Sequence, residues 1–181
     1  MDKNQFVEDL KKSIVHYYKN VCETSPLISF GLYSDGDAST LGIFYNTKEH
    51  LNRKLKSLEN NSSNISSQRG YYTFFMEEWK EDIYLPEDTS LFNLNGIIND
   101  FGSSEYESGN ENYQNELFDL FVRALEELKR NGVFKNESEG FFLHIEISDY
   151  WIDEKMLRRI ALLHPKKVFE EYKKYAESNQ Y

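Results

Sequence analysis

The chain has little of what staples or interrupts a fold. Cys22 is its single cysteine, so no disulfide can close within it and a zinc site built from several cysteines is excluded. It has three prolines, Pro26, Pro86 and Pro165, which leave long stretches free to run as helix. The nine glycines form neither of the Gly-rich phosphate-binding loops, and no serine sits in a Gly-x-Ser-x-Gly context, so nucleotide binding by those loops and α/β-hydrolase chemistry are not expected. No apolar run approaches membrane-spanning length. The opening Met-Asp-Lys-Asn-Gln leads directly into an amphipathic segment rather than a signal core, so the expectation is a cytoplasmic protein without a membrane partner. Aliphatic side chains are also sparse. The hydrophobic fraction is 39%, below the roughly 45–50% of ordinary globular chains. Aromatics make up the shortfall, with 13 Phe and 13 Tyr, whose large rings can fill a core.

Basic residues are scarce in one place above all. Residues 77–116 hold eleven acids (Glu77, Glu78, Glu81, Asp82, Glu87, Asp88, Asp100, Glu105, Glu107, Glu111 and Glu116) against Lys80 alone, which equals the net charge of −10 of the full chain. The remaining residues balance. Such asymmetry speaks to partners more than to fold. It disfavours nucleic acid, whose phosphates it would repel, and it suits a basic protein.

Periodicity outlines the elements. Phe6, Leu10, Ile14, Tyr17 and Val21 predict a helix over 3–22. Ile28, Phe30 and Leu32, the turn Ser34-Asp35-Gly36-Asp37, then Leu41, Ile43 and Tyr45 predict a β-hairpin. Asn46, with Glu49 three residues on, reads as a capping box for a helix reaching Leu58. Residues 59–69 read as a flexible polar loop, Tyr71–Phe75 as a strand, 91–101 as a short helix and 102–116 as an acidic loop running into the next helix. The clearest helix covers 111–131, with Leu117, Phe121, Ala124, Leu125 and Leu128 on one face. Phe141 to Ile147 alternate as a strand, and helices follow at 153–163 and 166–177. The sum predicts one α+β domain over 1–181. Its small, mostly antiparallel sheet carries an N-terminal hairpin and packs against several amphipathic helices.

Few residues suggest chemistry. The four histidines (His16, His50, His144 and His164) are scattered. His144 and Glu146 share one strand face, about 7 Å apart, and are the candidate catalytic pair of an alternative enzymatic reading. A solvated or covered polar strand face explains them better. Asp35-Gly36-Asp37 is explained by a turn rather than a calcium loop. No metal or cofactor is expected. For the acidic stretch, aromatic anchors beside carboxylates make a docking surface. The expected contact residues are Glu77, Glu78, Trp79, Glu81, Asp82, Glu105 and Glu107.

Several short motifs resemble one family. They are Phe30-Gly-Leu-Tyr-Ser-Asp-Gly-Asp37, Asn46-Thr-Lys-Glu49, Glu78-Trp79, Leu125-Glu-Glu-Leu128 leading to Gly132-Val-Phe134, Ile147-Ser-Asp149 and Leu163-His-Pro165. Together they are similar to the bacterial domain of unknown function 4303, with His164 standing where the family motif has Asn. The resemblance implies a bacterial origin and no established activity or catalytic residue. By analogy, families of this size near toxin systems serve as immunity proteins. The reading is therefore an acidic, non-catalytic protein-binding module that neutralises a basic toxin domain. A scaffold role within a larger complex has the same sequence signature.

Overall fold

Asp2 starts the first helix. Its carboxylate accepts from the N–H groups of Asn4 and Gln5 at 3.0 and 3.1 Å, filling two of the bonds a helix N-terminus lacks. Helix α1 then runs Lys3–Cys22 and buries the predicted face, Phe6 through Val21. This computed structural model describes residues 1–23, 26–58, 65–79, 89–110, 112–135, 137, 140–148 and 152–178.

The hairpin follows as expected. Strand β1, Leu27–Ser34, pairs antiparallel with β2, Gly42–Thr47, placing Phe30 opposite Tyr45 and Leu32 opposite Ile43. In the intervening loop, Asp35 accepts from the Ser39 and Thr40 hydroxyls and from the Ser39 N–H at 2.7 Å. Burial acts to raise the Asp35 pKa, but these hydrogen bonds outweigh it and hold the carboxyl below its usual range. The Asp-Gly-Asp segment is therefore a self-bonded turn.

Helix α2, Lys48–Leu58, is capped one residue later than predicted. The Thr47 hydroxyl accepts from the His50 N–H at 3.1 Å, while the Asn46 amide donates to the Tyr72 carbonyl at 2.9 Å. Helix α3, Ile65–Phe74, and a 3-10 turn, Met76–Glu78, occupy the region predicted as a strand at 71–75. Tyr71 and Phe75, four residues apart, stack at 5.0 Å, as neighbouring turns of a helix allow. Of the loop predicted at 59–69, residues 65–69 are helical, and 59–64 lie outside the described residues.

Helix α4, Ser90–Ser108, takes in residues 102–108 of the predicted acidic loop and ends at Gly109, whose φ is 76°. Helix α5, Tyr113–Arg130, is strongly amphipathic, with Leu117, Phe118, Phe121, Leu125 and Leu128 buried. Strand β3, Phe142–Ile147, lies parallel to β1, and the sheet order is β2-β1-β3. The fold class is α+β, but the sheet is mixed rather than mostly antiparallel. The chain passes through α2 to α5 before β3, and such a long crossover permits a parallel pairing. Helices α6, Glu154–Leu163, and α7, Lys166–Ser178, close the fold, with Asp153 capping α6 through the Met156 N–H at 2.8 Å.

Strand β1 is central and covered on both faces. On one, Phe30 meets Tyr18 of α1 at 5.8 Å and Phe134 at 6.1 Å. On the other, Gly31 lies under Met76, and a Cβ there would come within 2.7 Å of the His144 carbonyl oxygen. Glycine is required at that close approach. Phe74, Phe142 and Tyr172 pack over this second face, with Phe142 4.8 Å from Phe74 and 5.4 Å from Tyr172. Most of the described buried apolar residues form one cluster.

Candidate functional site

The predicted His144 and Glu146 pair sits on the covered face of β3, under the 3-10 turn and α7. His144 is 3% exposed, and its ring is walled by Phe142, Tyr172 and Trp79 at 5.2, 5.4 and 6.1 Å. Its Nε2 is 3.5 Å from the Glu146 carboxylate. That carboxylate accepts the Met76 backbone N–H at 2.7 Å and so anchors the 3-10 turn to the sheet. Burial and the nearby Glu146 charge push the Tyr172 and Tyr175 hydroxyls well above their usual pKa. A second histidine, His164, donates Nε2–H to the Leu143 carbonyl at 2.6 Å and stacks on Phe142 at 4.5 Å. Burial lowers its pKa to about 4, so it is neutral and packs as an aromatic ring. Glu146 is tied to the fold through Met76, whereas the buried His144 Nδ1 has no hydrogen-bond partner among the described residues. Among the described residues no three His, Cys, Asp or Glu side chains come together as metal ligands would. In this setting the Glu146 carboxylate anchors the 3-10 turn and the His144 ring packs among aromatics.

Of the expected docking residues, Glu77, Glu78 and Trp79 lie at the 3-10 turn and Glu105 and Glu107 on α4. Glu77 is exposed at the 3-10 turn. Glu78 pairs with Lys54 at 2.9 Å, and its carbonyl meets the His50 ring at 3.0 Å. Burial, followed by the Glu78 charge, raises the neighbouring Tyr71 to about 12. Trp79, the expected anchor, is 4% exposed and belongs to the core. It is too deep to insert into a partner. Glu81 and Asp82 lie outside the described residues. Glu105 and Glu107 are both on α4, where Glu105 is half-buried and accepts from the Asn110 amide at 2.7 Å, while Glu107 is exposed.

That helix presents a face the sequence reading missed. Phe92, Gly96, Asn99, Ser103 and Tyr106 follow steps of four and three residues and line one stripe. The inward residues are Leu94, Ile98 and Phe101. Phe92 and Tyr106, at the ends of the stripe, are each 80% exposed. Between them a Cβ at Gly96 would meet nothing within 4 Å. Asp100 and Glu107 flank the stripe, and α4 has no basic residue. Beside Tyr106, a hollow of about 230 Å³ opens between α4 and the hairpin loop, with Asp37 on its wall. The four-and-three spacing was present in the sequence, but Gly102-Ser103-Ser104 disguised it as a loop.

A family model described as a domain of unknown function (DUF4303) matches residues 8–165. The chain belongs to this family. No curated protein and no solved structure matches it. Membership covers both the β3 pair and the α4 stripe and attaches a reaction to neither. No described helix is long and apolar enough to cross a membrane.

Proposed function

We propose that this DUF4303 chain is a non-catalytic binding protein that docks a basic protein partner on the outer face of α4. The supporting observation is the pair of exposed rings, Phe92 and Tyr106, on one stripe flanked by Asp100 and Glu107. Aromatic anchors carry much of an interface's energy, and two on one helix face give a partner two points of attachment. Gly96 strengthens the reading. An exposed helical glycine costs about 0.5–1 kcal/mol relative to alanine, and here no described neighbour needs the space. A partner crossing the helix between the two rings would need it. The hollow beside Tyr106 suits an arginine, which can stack on the phenol and pair with Asp37. The form of this function we favour is toxin neutralisation, because a toxin domain that cleaves nucleic acid must itself carry a basic surface.

Photo-crosslinking from position 92 or 106 in the native cell tests the face. The expected product is a domain of positive net charge. With the purified pair, Asp100→Asn with Glu107→Gln is expected to slow association about tenfold at low salt and to flatten its salt dependence. Glu77→Gln is expected to leave the rate nearly unchanged. A neutral or acidic partner, or an association rate indifferent to the double substitution, would overturn the proposal.

A further inference from the structure

A second surface has the opposite character. Between α2, α3, α7 and the start of β1 lies a groove of about 910 Å³, within the range of roughly 300–1,000 Å³ typical of small-molecule sites. Its floor is apolar: Leu27, Leu51 and Phe74 are buried and Tyr175 is half-buried. The hydroxyls of Thr73 and Ser178 in its wall donate to the carbonyls of Arg69 and Tyr175 in their own helices, at 2.7 and 2.9 Å. The floor therefore suits an alkyl chain. The rim is cationic. Lys48, Arg69 and Lys174, each from a different helix, are exposed around it against one acid, Glu171. None of the three forms an ion pair among the described residues.

We infer that this groove binds a single-chain amphiphile, its alkyl tail on the Leu27, Leu51 and Phe74 floor and its carboxylate or phosphate head among Lys48, Arg69 and Lys174. The charge match supports the anionic head. In a chain with ten excess acids, three cations converge on one apolar groove. A local positive field in a cleft concentrates anions even when the molecule as a whole is negative. The width of the floor supports the tail, because its apolar residues come from four separate elements and the Thr73 and Ser178 hydroxyls beside them are engaged within their own helices. The groove shares no residue with the α4 face, so the two proposals stand or fall separately.

Calorimetric titration tests the inference, using monomeric dodecanoate, dodecyl phosphate and dodecanol on the full chain. Both anions are expected to bind about tenfold or more tighter than the alcohol. In Lys48→Gln/Arg69→Gln/Lys174→Gln, whose sites are all exposed, the anions are expected to fall to the level of the alcohol. Thr73→Trp, at a half-buried wall position, is expected to abolish binding of all three, with circular dichroism confirming the fold. Vesicles of phosphatidylcholine with phosphatidylglycerol separate a free amphiphile from a membrane headgroup. Equal affinity for dodecanoate and dodecanol would overturn the proposal. So would undiminished anion binding by the triple variant, or association with the anionic vesicles alone.

Discussion

Glu146 is a carboxylate set against the sheet to accept one backbone N–H, that of Met76. Removing an acceptor strands a donor in a partly buried place, which costs about 1–3 kcal/mol. Glu146→Ala is therefore expected to lower unfolding stability by that amount in urea. Glu146→Gln, which keeps an oxygen, is expected to lose less. A reactive carboxylate would be sensitive in another way, through loss of function without loss of stability. His164 gives a pH signature. Its folded pKa is lowered to about 4, chiefly by burial, while the unfolded side chain titrates near its ordinary value of about 6.5. Between these values the unfolded chain binds more protons, so stability rises with pH across the window. His164 contributes fully above about pH 6.5, and its contribution fades as pH falls toward 4, on the order of 3 kcal/mol in all. His164→Gln retains a donor for the Leu143 carbonyl and does not titrate. The difference between the two stability profiles over that window isolates the histidine from the carboxylates that also titrate in acid. A constant difference would mean that the ring is not buried neutral.

At the scale of the element, α4 is the helix least explained by the chain's own needs. Asn93, Asn95, Gly96, Asn99, Gly102, Ser103 and Ser104 are poor helix formers, and what holds them helical is the burial of Leu94, Ile98 and Phe101. Gly96→Ala is expected to raise stability by about 0.5–1 kcal/mol and, if the stripe seats a partner, to weaken that complex. Thermal unfolding and a binding titration on the same variant read the two effects with opposite sign. This helix also marks the limit of what is legible in sequence. Helices α1, α5, α6 and α7 are plain from periodicity, because each buries one aliphatic or aromatic stripe against the core. The hairpin is plain from alternation around Asp35-Gly36. By contrast, α3 reads as a strand because Tyr71, Tyr72, Phe74 and Phe75 are strand-loving residues. Phe74 is drawn into helix by rings distant in sequence, Phe142, Tyr172 and Tyr175. The parallel placement of β3 is a matter of crossover, which no local pattern carries. Trp79 looked like an anchor beside four acids, yet the 3-10 turn folds it inward against His144. The cationic groove was invisible for the same reason, since Lys48, Arg69 and Lys174 are neighbours only once α2, α3 and α7 have packed.

Across the whole molecule the charge is divided. Cations are spent in pairs along α1 and α5, where Lys3 meets Glu116, and Lys11 and Arg123 meet Glu127, all within 2.7–2.8 Å. Others gather at the groove. Helix α4 carries three acids, Asp100, Glu105 and Glu107, and no residue of the opposite sign. Exposed pairs contribute little individually, so the dominant long-range term is repulsion among the surplus carboxylates, which disfavours the compact state. Screening relieves it, because the Debye length shortens from about 30 Å at 0.01 M salt to about 8 Å at 0.15 M. The melting temperature is therefore expected to rise over that range rather than fall, as it would if ion pairs dominated. Asp100→Asn with Glu107→Gln is expected to raise the melting temperature at low salt and to shrink the salt-induced gain. A melting temperature that falls with salt, or a gain untouched by the double substitution, would place the stabilising charges in the α1–α5 pairs instead. The acids of α4 would then carry no measurable strain in the free protein, and neutralising them on docking would relieve none.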